Sequence, residues 1–283
     1  MRHGPPEEAA PADPGTAHVV EGIRSLHDRI GDLERLVSQR LEAEGKRPAE
    51  WLHEHAGVLH QAQLPAWRRP TSGEPRWQVA LVTAIAIGLQ TAVPGRLVLV
   101  HPAWVLPAVQ GLLFVALLLA NPHRINKKNP KLRMLGLTIA ALLSLANGYS
   151  LARLAGGIVD GTLAKTSAGS LLITGSVVWL TNVIAFALWY WEFDRGGPAE
   201  RALGTHPYPD FQFVQMVTPE MAPPHWEPAF TDYLYLAFTN AAAFSPTDVM
   251  PLSRWAKMLM TLQSVISIIT VALVVARAVN ILQ

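Results

Sequence analysis

One long stretch of this chain is almost free of charge, and that constrains its fold more than any other feature. Between Trp77 and Ala120 the only charged residue is Arg96. Between Met134 and Trp191 there are three, Arg153, Asp160 and Lys165. An ordinary soluble domain needs more surface charge than this. Over all 283 residues, 50% are hydrophobic and only 16% charged. The expected fold class is all-α: a polytopic membrane helical bundle with a small soluble helical region in front.

The four expected spans can be bounded from the charges. Residues 77–95 and 97–120 contain no Asp, Glu, Lys or Arg, and Pro94-Gly95-Arg96 makes a tight turn between them. The next two spans are 134–152, ending at Arg153, and 166–191, closing with the aromatic belt Trp189-Tyr190-Trp191. Each is about as long as a bilayer crossing requires. Between the second and third spans, His123 to Arg133 holds Arg124, Lys127, Lys128, Lys131 and Arg133 with no acid. Such a basic loop belongs in the cytoplasm. Asn147 and Asn182 lie inside spans three and four, where an amide needs a partner, either across a helix–helix contact or along a transport path. Gly157 and Gly161 have GxxxG spacing, but at a span end.

The front of the chain is different. Residues 1–18 are polar and Pro-rich, with no apolar core for a secretory signal, and read as a disordered tail. Ile23, Leu26, Ile30, Leu33 and Val37 then recur at spacings of 3 and 4, an a/d seam over about two heptads. It is either an amphipathic helix packed on its own neighbour or an oligomerisation helix. After Pro48, residues Trp51, Leu52, His55, Val58 and Leu59 form a second amphipathic stretch, so 19–70 is expected to be a soluble helical region. His53, Glu54, His55 and His60 lack the spacing of a metal site. Trp67, Arg68, Arg69, Arg76 and Trp77 read as an interfacial anchor.

Residues 192–229 form a charged turn and a Pro- and aromatic-rich loop, GTHPYPDFQFVQMVTPEMAPPHWEPA at 204–229. His206, Asp210, Glu220, His225 and Glu227 sit there without catalytic spacing. Residues 230–244 are apolar, but fifteen residues rise only about 22 Å, short of a hydrocarbon core of about 30 Å. Thr231-Asp232 marks a helix start on local grounds. Ser245-Pro246-Thr247-Asp248 and Pro251 break the chain, and a full-length helix runs from about Arg254 to the end. Gln263, Ser267, Thr270 and Arg277 fall on one face of it. A half-length helix, a broken loop and a span with a polar face have the layout of a re-entrant pore element.

The run YLAFTNAAAFSPTDVMPLSRWAKMLMTLQS resembles the pore module of two-transmembrane-type bacterial potassium channels. Tyr235 and Phe238 match the pore-helix aromatics, Asp248 the filter acid, Pro251 the linker proline, and Ala276-Arg277 the end of the inner helix. The resemblance implies filter-equivalent positions at Ala243, Phe244, Ser245, Pro246, Thr247 and Asp248. Both filter glycines are absent and Pro246 takes the tyrosine position, so potassium selectivity does not carry over. The chain also resembles a family of bacterial multi-span membrane proteins sharing Trp-Tyr-Trp-Glu-Phe-Asp-Arg-Gly-Gly-Pro at 189–198; that likeness implies no activity.

Three functions are expected. The first is a channel-like, homo-oligomeric pore without a potassium-type filter. The second is a non-conducting scaffold or sensor with a cytoplasmic protein partner at 19–63. The third is an intramembrane enzyme or carrier using Asp232, Asn240 and Asp248. The expected location is a bacterial cytoplasmic membrane, with the N-terminus in the cytoplasm. The chain has no cysteine, which excludes disulfides and iron–sulfur clusters, and its net charge of +2 argues no case for nucleic acid. No catalytic pair, cofactor motif or metal-ligand set is expected. Residues 230–244 could be a tilted fifth span, giving six crossings. They could instead be a re-entrant segment, giving five and placing the C-terminus outside, or the positive-inside reading could fail.

Overall fold

Asn129, Ser167 and a series of prolines decide where the helices of this chain begin and stop. The computed structural model describes residues 64–120, 124–125, 129–164, 166–244 and 248–282, with nine helical positions between Ser25 and Gln39. The chain divides into two units, Met1–Gln63 and Leu64–Gln283. In the first, Arg35 pairs with Asp32 at 2.6 Å on the exposed side of the helix. The expected seam residues, the 1–18 tail and the histidines 53, 55 and 60 lie outside the described residues.

The second unit is all-α. Its helices are α1 (Trp77–Thr91), α2 (Val105–Ala120), α3 (Pro130–Val159), α4 (Ala168–Phe193), α5 (Pro198–Leu203), α6 (Val214–Val217), α7 (Phe230–Ala243) and α8 (Arg254–Leu282). Three of them, α3, α4 and α8, are long and apolar enough to cross a membrane; α1 and α2 are shorter apolar helices. Two short antiparallel pairings complete it: β1 (Glu74–Pro75) with β2 (Arg124–Ile125), and β3 (Phe211–Gln212) with β4 (Met250–Pro251).

Several span limits differ from expectation. The first helix stops at Thr91, four residues early, because Pro94 disfavours helix before it. The second starts at Val105, not at 97, with Pro107 in its first turn. The third is longer than 134–152. Asn129 caps it by accepting from the Lys131 and Leu132 amides, Pro130 takes the first position, and the helix runs through Arg153 to Val159. Ser167 caps α4 in the same way through the Ser170 amide. Gly157 serves a local turn: a Cβ there would stand 2.8 Å from Leu163, which folds back over it.

Helix α4 is the centre of the bundle, buried without a break from Thr181 to Leu188 and packed on α1, α3, α7 and α8. Contacts of Ser144 with Trp189 and Gly136 with Glu192, and of Gln263 with Tyr190 and Val274 with Gly175, set it antiparallel to both α3 and α8. An aromatic cluster fills the end where α4 stops. Tyr190, Tyr233 and Trp255 all meet Phe211 edge-on, with centroids 5.1–6.4 Å apart.

Candidate functional site

Two arrangements of buried polar groups stand out in the second unit. The first is an ionic lattice at the end of α4, built from Trp191 to Gly197. Arg195, Gly196 and Gly197 all have positive φ (51°, 80° and 98°), which reverses the chain after the helix. At Gly197 a Cβ would lie 2.8 Å from the Glu192 carbonyl oxygen, so only glycine fits.

The reversal brings Arg201 under α4. Its Nε and Nη2 donate to Glu74 Oε1 at 2.9 and 2.6 Å, and its Nη1 donates to the Trp191 and Asp194 carbonyls at 2.7 and 2.9 Å. Its guanidinium also sits 5.1 Å over the Tyr233 ring. The Trp191 indole donates to the other Glu74 oxygen. Both charges are buried, and such a pair adds little net stability, because dehydration offsets the attraction. Its consequence is geometric: the strand before α1 is tied to α5, 127 residues away.

Asp194 is fully buried and continues the lattice. Its Oδ1 accepts from the Asp210 and Phe211 amides at 2.8 and 3.3 Å, and its Oδ2 accepts from the Tyr233 hydroxyl at 2.6 Å. Asp210 accepts in turn from the Arg195 amide (2.9 Å) and the Trp255 indole (2.8 Å). Arg195 donates to the Trp67 carbonyl at 2.6 Å and lies 5.1 Å over its ring. The expected interfacial anchor is therefore divided. Trp67 is part of the lattice, Arg76 is buried, and Trp77 is exposed. Asp210, which has no catalytic spacing in the sequence, holds the 204–229 loop to the start of α8. Among the described residues no three His, Asp or Glu are placed to hold a metal.

The second arrangement is the hairpin of α7 and α8. Helix α7 begins at Phe230, with Asp232 accepting from the Ala229 amide at 2.8 Å; Asp232 thus acts three positions into the helix. Both helices begin beside the end of α4, where Phe230 meets Trp191 and Trp255 meets Phe193, and both reach Trp179 further along, through Phe238 and Ser267. Gln263 Nε2 donates to the Ala237 carbonyl, Asn240 Nδ2 to the Met260 carbonyl and Gln263 Oε1, and Ser267 Oγ to the Ala241 carbonyl. The two helices therefore run parallel. The chain between them returns to its starting end, where β4 meets β3. The result is a hairpin of two parallel helices.

Of the positions expected to be filter-equivalent, Ala243, Phe244 and Asp248 are described. Phe244 ends α7 at φ 57°, a conformation a bulky side chain adopts only under constraint. Ser245, Pro246 and Thr247 lie outside the described residues. Tyr235 and Phe238 are exposed on the outer side of α7.

The expected polar stripe of α8 is present but faces inward. Gln263, Ser267 and Thr270 are buried. Besides the α7 bonds, Gln263 Oε1 accepts from Tyr190 at 2.6 Å, and Ser267 from the Trp179 indole at 2.7 Å. Thr270 donates to the Ile266 carbonyl. Arg277 lies near the end and donates to Asn280. The stripe thus joins α8 to α4 and α7, a role expected of Asn147 and Asn182. Asn182 Nδ2 has no partner, and Asn147 lines a cavity of about 20 Å³ with Gln90 and Thr181, room for about one water.

The ionic lattice escaped sequence reading because its partners are far apart. Its only local signal is the density of charge in Glu192-Phe193-Asp194-Arg195, directly after an apolar span. No family model matches the chain, and no curated protein or solved structure matches it.

Proposed function

We propose that this chain is a multi-pass protein of a bacterial cytoplasmic membrane, acting as a non-conducting scaffold or sensor on a pore-like framework. In this reading α1, α2, α3, α4 and α8 cross the bilayer, and α7 enters and leaves on one side. That side carries the basic 123–133 segment, since Arg124–Ile125 pairs with Glu74–Pro75 just before α1. The positive-inside rule assigns it to the cytoplasm, with the first unit there and the C-terminus opposite. α1 and α2 rise about 22 and 24 Å, and local thinning of the bilayer accommodates such short spans.

The observation that carries the scaffold reading is the burial of Gln263, Ser267 and Thr270 within one protomer. Their hydrogen-bonding groups meet α4, α7 or their own backbone, so they line no aqueous path. Beyond Thr261 the outer face of α8 is mostly apolar, with Leu262, Val265, Ile268 and Val275 exposed, and suits lipid or a second copy. The cytoplasmic stretch 19–63 is then the segment that takes a protein partner.

The parallel α7–α8 hairpin favours a second reading, an oligomeric pore, because a pore helix and an inner helix share this arrangement. Recordings from purified full-length protein in planar bilayers separate the two. The scaffold reading expects no conductance for common cations or anions at any voltage. Unitary currents altered by Asp248→Asn would overturn it.

A further inference from the structure

A cavity of about 350 Å³ lies among α1, α2, α3 and α4, beside the ionic lattice and away from the α7–α8 hairpin. Its wall is apolar, formed by Val79, Phe114, Leu117 and Ile139, and Arg76, Arg133 and Glu192 also line it. The lining therefore suits hydrocarbon and a polar head together.

Glu192 is the unusual member. It is only 8% exposed, and its Oε2 has no hydrogen-bond partner, whereas buried polar atoms normally have one. Gly136 makes room for this carboxyl: a Cβ there would stand 3.1 Å from Glu192 Oε1. Arg76 is buried too, and burial lowers its pKa while Glu192 draws it back up. Arg133 is exposed and reaches the Glu192 carbonyl at 3.5 Å.

Two guanidinium groups suit a phosphate. An unpartnered carboxyl oxygen suits a hydrogen donor. The apolar wall suits an acyl chain. We propose that this cavity binds a phospholipid whose head carries a donor beyond the phosphate, of the ethanolamine or glycerol type. The phosphate lies at Arg76 and Arg133, the ammonium or hydroxyl donates to Glu192 Oε2, and the first part of one chain lies on the wall. The volume is at the lower end for small-molecule sites and takes the head and a short length of chain. A choline head brings the same phosphate without a donor and leaves Glu192 unsatisfied. The proposal does not depend on whether the protein conducts.

Native mass spectrometry of the full-length protein tests it, with phosphatidylethanolamine, phosphatidylglycerol and phosphatidylcholine of matched chains titrated separately. The ethanolamine lipid, the glycerol lipid or both are retained about tenfold more tightly than the choline lipid. Retention of only one identifies the donor as ammonium or hydroxyl. Arg133→Gln weakens all three lipids together. Glu192→Leu abolishes the preference over choline, because it removes the acceptor for the head-group donor. Glu192→Met, which also has no oxygen acceptor, supplies the same readout should the leucine variant misfold. Equal retention of all three lipids by the natural protein, or an undiminished preference in a folded Glu192 variant, overturns the proposal.

Discussion

Glu74 and Arg201 form a buried pair whose members make sense only together. Removing one strands the other in a buried site, so Glu74→Gln should cost about 3–5 kcal/mol. The double variant Glu74→Gln/Arg201→Met should cost less than the sum of its single changes, because the charge leaves with its partner. Unfolding by denaturant in mixed micelles measures both. Tyr233→Phe removes one donor from the buried Asp194 carboxylate, and the expected loss in the same assay is about 1.5–3 kcal/mol. Gly197 has neither the φ nor the space for a side chain. Gly197→Ala should destabilise by about 1–3 kcal/mol, whereas alanine at Gly148, where a Cβ meets nothing within 4 Å, should have a much smaller effect.

Helix contacts in this bundle depend on close approach and on a few polar bonds. At Gly175 a Cβ would lie 2.6 Å from the Val274 side chain, so α4 and α8 touch there through a bare backbone. Gly175→Ala should therefore push the helices apart and cost about 1–3 kcal/mol. Val274→Ala, added to it, should restore much of the loss by clearing the space. A thermal melt of the three variants in one detergent checks the rescue. The same pair of helices shows what a helical period can and cannot reveal. The spacing of Gln263, Ser267 and Thr270 shows one shared face. Whether that face meets water, lipid or protein depends on α4 and α7, and here their carbonyls and side chains take it up.

At the scale of the whole molecule, the proposed topology, in which α7 enters and leaves on one side, has an odd number of crossings. A phosphatase fused after Gln283 should be active, as it is only outside the cytoplasm, and the same reporter in the 126–128 loop should be silent. An inactive C-terminal fusion would mean that α7 crosses or that the bundle is inverted. The absence of cysteine makes single-cysteine labelling an independent check without background. Much of this layout is legible in sequence. The short apolar run before Pro246, the break after it and the long final segment all become elements close to their expected limits. The third span is longer than its charges suggest. Arg153 reads as a terminus, yet a cation near a helix end can reach the interface while the helix continues.

What the sequence determines by itself is composition along the chain. Burial of apolar residues is a nearly local property, so a stretch without charge declares an apolar helix, and prolines and caps set its ends. The tertiary structure alone decided which polar groups find one another. Glu74 and Arg201, Asp194 and Tyr233, or Gln263 and Tyr190 are brought together only when the helices pack. A buried polar atom needs a partner wherever the chain supplies one, and sequence separation places no limit on that.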